Sequence, residues 1–198
     1  MPDIKPITRA RRTEFTIREV EETNTMLIEG YFVVFNQPYY RDDYCEEVVA
    51  PGAFDGADTS DVRALIDHIP AMVLGRSNDT VHTLTWSIDD TGLFASIEIN
   101  PDDKDAMSLR ARVLRGDVDQ ASFGFDELEV IYTDLADGRV RRTINRISKL
   151  WEISVCTFPA YEQTYVSARS RETAELIAHR REKIRKEKNK LKRRLTHA

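Results

Sequence analysis

The chain has 198 residues, of which 41% are apolar and 32% charged, so one domain with a sizeable core plus an appendage is expected. Charge is uneven: residues 171–198 hold eleven Lys or Arg against four Asp or Glu, a net of +7, which leaves −12 of the whole-chain −5 on residues 1–170. No apolar run nears the roughly 20 residues that span a bilayer, MPDIKPITRARR is no secretory signal, and Cys45 and Cys156 form neither a zinc nor a dithiol motif, so the chain reads as soluble and intracellular with free thiols.

Residues 1–12 read as a flexible arm, with Pro2, Pro6 and the basic cluster Arg9, Arg11 and Arg12. Strand signals follow. Phe15, Ile17 and Val20 alternate roughly with polar residues, and Met26 to Phe35 is rich in β-branched and aromatic residues until Asn36-Gln37-Pro38 ends it. Short strands are expected at 45–49, before the Pro51-Gly52 turn, and at 62–68, 80–88 and 92–100. Asp89-Asp90-Thr91-Gly92 supplies a hairpin turn between the last two. One helix is signalled by Pro101, Asp102 and Asp103 at its start. Ala106, Leu109 and Val113 recur at helical spacing, joined by Met107 and Leu114, and Gly116 stands at the stop. Strands resume at 119–133, 139–148 and 150–157, with Asp137-Gly138 as a second hairpin turn. The fold class is mainly β with flanking helices (α+β), and so many short strands point to a closed or nearly closed barrel over residues 13–170. Residues 171–198 lack Gly and Pro and read as a basic helical tail. Ile177, Ile184 and Leu191 recur every seven residues, too thin a stripe for a second core, so a solvated helix suits the tail better than a coiled coil.

In Ala121-Ser122-Phe123-Gly124-Phe125, strand alternation puts the aromatic residues on one face and Ser122 and Gly124 on the other. The glycine leaves room for another backbone to approach the serine, although ordinary strands carry such patterns too. A serine nucleophile needs a base. His179 and His197 fall in the charged tail, and His82 sits on a hairpin strand where it faces solvent. His68 closes the apolar segment Ala64-Leu65-Ile66-Asp67 just before Pro70, a strand end that can face a cleft. For the imidazole's second nitrogen, Asp67 would point to the opposite strand face. Glu152 lies among the core-like residues Trp151, Ile153 and Val155, where a charge wants a partner. Spacing alone does not bring Ser122, His68 and Glu152 together, and each has an ordinary structural reading.

The order of segments resembles the tailed-bacteriophage prohead protease family, related to the herpesvirus assemblins. Gly30-Tyr31-Phe32-Val33-Val34-Phe35-Asn36 is similar to its opening strand, and Pro51-Gly52-Ala53-Phe54 to a signature of the family. Ala64-Leu65-Ile66-Asp67-His68 stands at the place of the catalytic histidine, and Gly116 to Phe125 resembles the nucleophile region. Leu74-Gly75-Arg76-Ser77 and Asp90-Thr91-Gly92-Leu93 follow in order, and Trp151 to Tyr161 is similar to the closing strand with its Pro-Ala turn. The likeness covers residues 26–166. It implies an assemblin-like barrel and a serine endopeptidase with Ser122, His68 and, in place of the second histidine of assemblins, Glu152. The family tends to carry Asn before the histidine, where this chain has Asp67. The resemblance further implies cleavage of scaffold or of major-capsid-protein extensions, and of the chain itself, in procapsids in the host cytoplasm. No cofactor, metal or membrane is implied. A homo-oligomer and nucleic-acid binding through the basic tail stay open, as does a non-catalytic capsid-binding module on the same fold.

Overall fold

In a computed structural model of the chain, residues 7–12, 15–20, 25–42, 45–157 and 182 are described. They form β1 (Ile7–Arg12), β2 (Thr16–Val20), β3 (Thr25–Val34), β4 (Tyr39–Asp42), β5 (Cys45–Val49), β6 (Val62–Ile66), β7 (Val73–Ser77), β8 (Leu84–Ile88), β9 (Gly92–Ile99), α1 (Lys104–Arg115), β10 (Gln120–Asp134) and β11 (Val140–Cys156). The chain is mainly β, with one helix among the described residues. The expected helical tail lies outside them except for residue 182.

The strands make two sheets. One is antiparallel in the order β2-β3-β9-β8. The other runs β1-β10-β11-β5-β4, with β6 also on β11 and β7 on β6. The expected closed or nearly closed barrel is therefore not what the described residues form. The reason lies in β11. Its first residues pair in parallel with β5, from Val140↔Cys45 to Ile144↔Val49, and its last with β6, from Glu152↔Arg63 to Val155↔Ile66. The larger sheet thus forks along one 17-residue strand instead of continuing into a ring. The sheets enclose a single core, with Phe32, Leu93 and Ile97 from the smaller one and Phe125, Leu150 and Val155 from the larger, all without exposed surface. They approach at Gly75, where a Cβ would lie 2.9 Å from the carbonyl oxygen of Thr83.

Residues 7–12, read from sequence as part of a flexible arm, form β1 along β10. An extended segment is stabilised by any strand edge with free amides and carbonyls, which local sequence does not reveal. The helix begins and ends as its sequence indicates. Asp103 caps it by accepting from the Asp105 and Ala106 amides, and Gly116, at φ 83°, closes it with its N–H on the Val113 carbonyl. Ala106, Leu109 and Val113 anchor α1 to the core, so the chain leaves Gly116 directly for β10. At the far end of the β10–β11 hairpin, Arg142 is buried between Glu47 and Glu127.

Candidate active site

β10 is buried on both faces at its start. Phe123 and Phe125 stack at 4.7 Å on the core side, and Phe54 packs on Phe123 at 6.3 Å. Pro51-Gly52-Ala53-Phe54 is thereby a structural support behind the strand that carries Ser122. On the other face Ser122 stands opposite Ser154, and Gly124 opposite Glu152, in antiparallel register with β11.

His68 reaches this face through a tight turn. β6 ends at Ile66, and the Ile69 N–H donates to the Ile66 carbonyl at 2.9 Å. The two central residues both have positive φ, 49° at Asp67 and 59° at His68, as a type I′ turn requires. Asp and His are among the non-glycine residues that enter this region most readily, yet the conformation still costs about 1 kcal/mol or more per residue. Surrounding hydrogen bonds hold it. The Asp67 carboxylate accepts from the Thr157 N–H at 2.7 Å and its hydroxyl at 3.2 Å, and the Asp67 N–H donates to the Val155 carbonyl at 3.1 Å. The His68 N–H donates to Ser154 Oγ at 3.2 Å. Asp67 is therefore committed to the turn and turned away from the imidazole.

The imidazole Nδ1 lies 2.8 Å from Glu152 Oε1. An ionised carboxylate only accepts, so this contact calls for a proton on Nδ1, and in the neutral ring Nε2 then carries the lone pair. The Ser154 hydroxyl donates to the other carboxylate oxygen. Gly124 makes the arrangement fit. A Cβ there would sit 2.5 Å from Glu152 Oε1 and 3.1 Å from its Cγ. The space that the sequence suggests for an approaching backbone is filled by the glutamate side chain. Ser122 lies two residues before Gly124 on the same strand face and stands across the ladder from Ser154; its Oγ and His68 Nε2 are not hydrogen-bonded to each other.

Among the described residues, Ser122 Oγ and His68 Nε2 are buried and have no hydrogen-bond partner. Unpaired buried polar atoms are rare and call for a cause. Here one is a hydroxyl that can give a proton and the other a nitrogen that can take one. Cys156 is a poor rival nucleophile. It is buried, and burial, together with the nearby carboxylates of Asp67 and Glu152, pushes its thiol far above the ordinary value. His82 is exposed.

Sequence reasoning passed over Ser154. Its signal was a hydroxyl two residues from a carboxylate within a strand of core residues. Trp151 was misplaced: it is exposed, with the Lys149 ammonium 4.2 Å over its ring, because the register slips so that Phe125 faces Leu150 and Trp151 is left over.

The family model described as caudovirus prohead serine protease matches residues 13–178. The prohead protease of Enterobacteria phage HK97 is 30% identical over 171 residues, 85% of this chain and 70% of that protein. No solved structure matches the chain. A match that takes in the helix, both long strands and the turn bearing His68 shows that this chain belongs to the caudovirus prohead serine proteases.

Proposed function

We propose that Ser122 is the nucleophile, His68 its base and Glu152 the residue that orients and stabilises the imidazole. The observation that carries this reading is the pair of buried, unpartnered atoms, Ser122 Oγ and His68 Nε2, with the glutamate already bound to Nδ1. His68 Nε2 takes the hydroxyl proton as Oγ attacks the substrate carbonyl. The imidazolium, held by Glu152, returns the proton to the leaving amine, and water then hydrolyses the acyl-enzyme by the reverse sequence. The substrates are scaffold or major-capsid-protein extensions and the chain itself, cut within the assembling procapsid in the host cytoplasm. A non-catalytic capsid-binding module is not favoured, since the family is one of serine proteases. The test is mass spectrometry of capsid protein co-expressed with either form of the enzyme. Ser122→Ala removes one oxygen, so the protein folds, while turnover falls on the order of 10⁴-fold or more and the extension stays uncut. Processing at the normal rate by the soluble variant would eliminate the serine mechanism.

A further inference from the structure

At Ser122 the nucleophile strand has two edges. One is held by β11, which carries Glu152 and Ser154 and cannot leave without dismantling the site. The other is held by β1, antiparallel from Ile7↔Phe125 to Arg12↔Gln120, with Ala10 at the register position opposite Ser122. A strand edge is where an extended peptide docks, through its own amides and carbonyls. A peptide added to β10 at this edge would run its backbone past Ser122, as an attack on one of its carbonyls requires. That place is taken. Ser122 has no exposed surface, so the arrangement described is closed to a substrate.

We infer that residues 7–12 are an autoinhibitory strand, occupying the edge of β10 on which a substrate peptide binds as an antiparallel strand, so that cleavage requires β1 to leave. The inference rests on Ser122 being the nucleophile. β1 is suited to the exchange. It stands at the end of its sheet, so β10 is its one strand neighbour among the described residues, and its release breaks a single ladder of six residue pairs. Segments at sheet ends open at far lower free energy than the core. β10 keeps its long ladder with β11 when β1 goes, and β11 keeps β5 and β6 on its other side.

A reversible cross-link tests the inference. Arg12 and Gln120 face each other in register. Antiparallel neighbours have Cα atoms about 4.5–5.5 Å apart, within the range a disulfide spans. In the full chain carrying Arg12→Cys and Gln120→Cys, oxidation should lower both peptide cleavage and fluorophosphonate labelling of Ser122 at least tenfold, and reduction should restore them. The unsubstituted chain, whose two cysteines are buried, should respond to neither treatment. As a second arm, Ala10→Pro removes a backbone donor and loosens β1. It should raise the cleavage rate about tenfold, and a synthetic peptide of residues 5–14 should inhibit it competitively. Equal labelling of the oxidised and reduced forms overturns the autoinhibitory role. So does an Ala10→Pro chain that melts normally but cleaves no faster than the unsubstituted one. A cross-link that never forms overturns the pairing. Absence of Ser122 labelling from every form overturns the nucleophile itself and this inference with it.

Discussion

Two small residues fix the Glu152 carboxylate from opposite sides: Gly124 by leaving space and Ser154 by donating to the oxygen that His68 does not use. Gly124→Ala should therefore move the carboxylate off Nδ1 without removing any reacting group. The expected result is a kcat about 100-fold lower with KM little changed, since a misplacement near 1 Å is enough for such a loss. Steady-state kinetics on the folded variant decide it, and an unchanged kcat would mean that the carboxylate has no role in turnover. Glu152→Gln keeps the shape but loses the charge and should lower kcat by up to about 10⁴-fold. His82→Ala, at an exposed position, should leave kcat near normal, so the reverse ranking would assign the third role elsewhere. At this scale Ser122, His68 and Glu152 were legible in the sequence as a hydroxyl, an imidazole and a misplaced charge. The contact that joins His68 to Glu152 was not. The role of Ser154 depends on which residue stands across a ladder, and that of Gly124 on a neighbouring strand's side chain.

The β10–β11 hairpin extends well beyond the site, and its far end depends on charge. Burial alone would weaken the charged state of Arg142, but Glu47 and Glu127 outweigh it and hold the guanidinium more firmly charged than usual. Arg142→Leu takes the buried cation away from Glu47 and Glu127 and should cost about 3–5 kcal/mol, visible as a lower denaturant midpoint. Adding Glu47→Leu should recover part of that loss; a double variant as unstable as the single one would mean that packing, not charge, sets the cost. Element by element, the helix and most strands were readable because alternation, caps and turn residues are local. β7 was not read as a strand, its Val73-Leu74-Gly75-Arg76-Ser77 being short and interrupted by glycine. Residues 139–148 and 150–157 were read as two strands, where the chain makes one bent strand with a slipped register near Trp151. The parallel pairing of β11 with β6, which carries His68 to Glu152, joins residues nearly ninety positions apart and has no local signature.

For the whole molecule, acidity and the basic tail make separate predictions. Asp58, Asp61 and Asp89 have carboxyls held below the usual range, by the hydrogen bonds of Lys149, Arg76 and Tyr31 first of all. Folded values below the unfolded value of about 3.9 mean stability that is complete above about pH 4 and lost as pH falls through the folded values. Asp61→Asn should accordingly shrink the difference in melting temperature between pH 7 and pH 3; an undiminished difference would assign the acid loss to other groups. The tail carries +7 against −12 on residues 1–170, a pattern suited to docking on an acidic scaffold. A chain ending at Ser170 should melt normally and cleave peptide, but reach fewer copies per procapsid. Unfolding of that chain would make the tail structural, and normal incorporation would place targeting elsewhere.

The fork along β11 also has a consequence in time. During synthesis, β5, β6 and β10 leave the ribosome without the strand that unites them, and the acid that orients His68 is made only at residue 152. A truncated or half-made chain therefore has a hydroxyl and an imidazole but no ladder to align them. Long-range pairings of this kind also form slowly. On the proposed mechanism, the growing chain is therefore no protease until β11 has been made and paired.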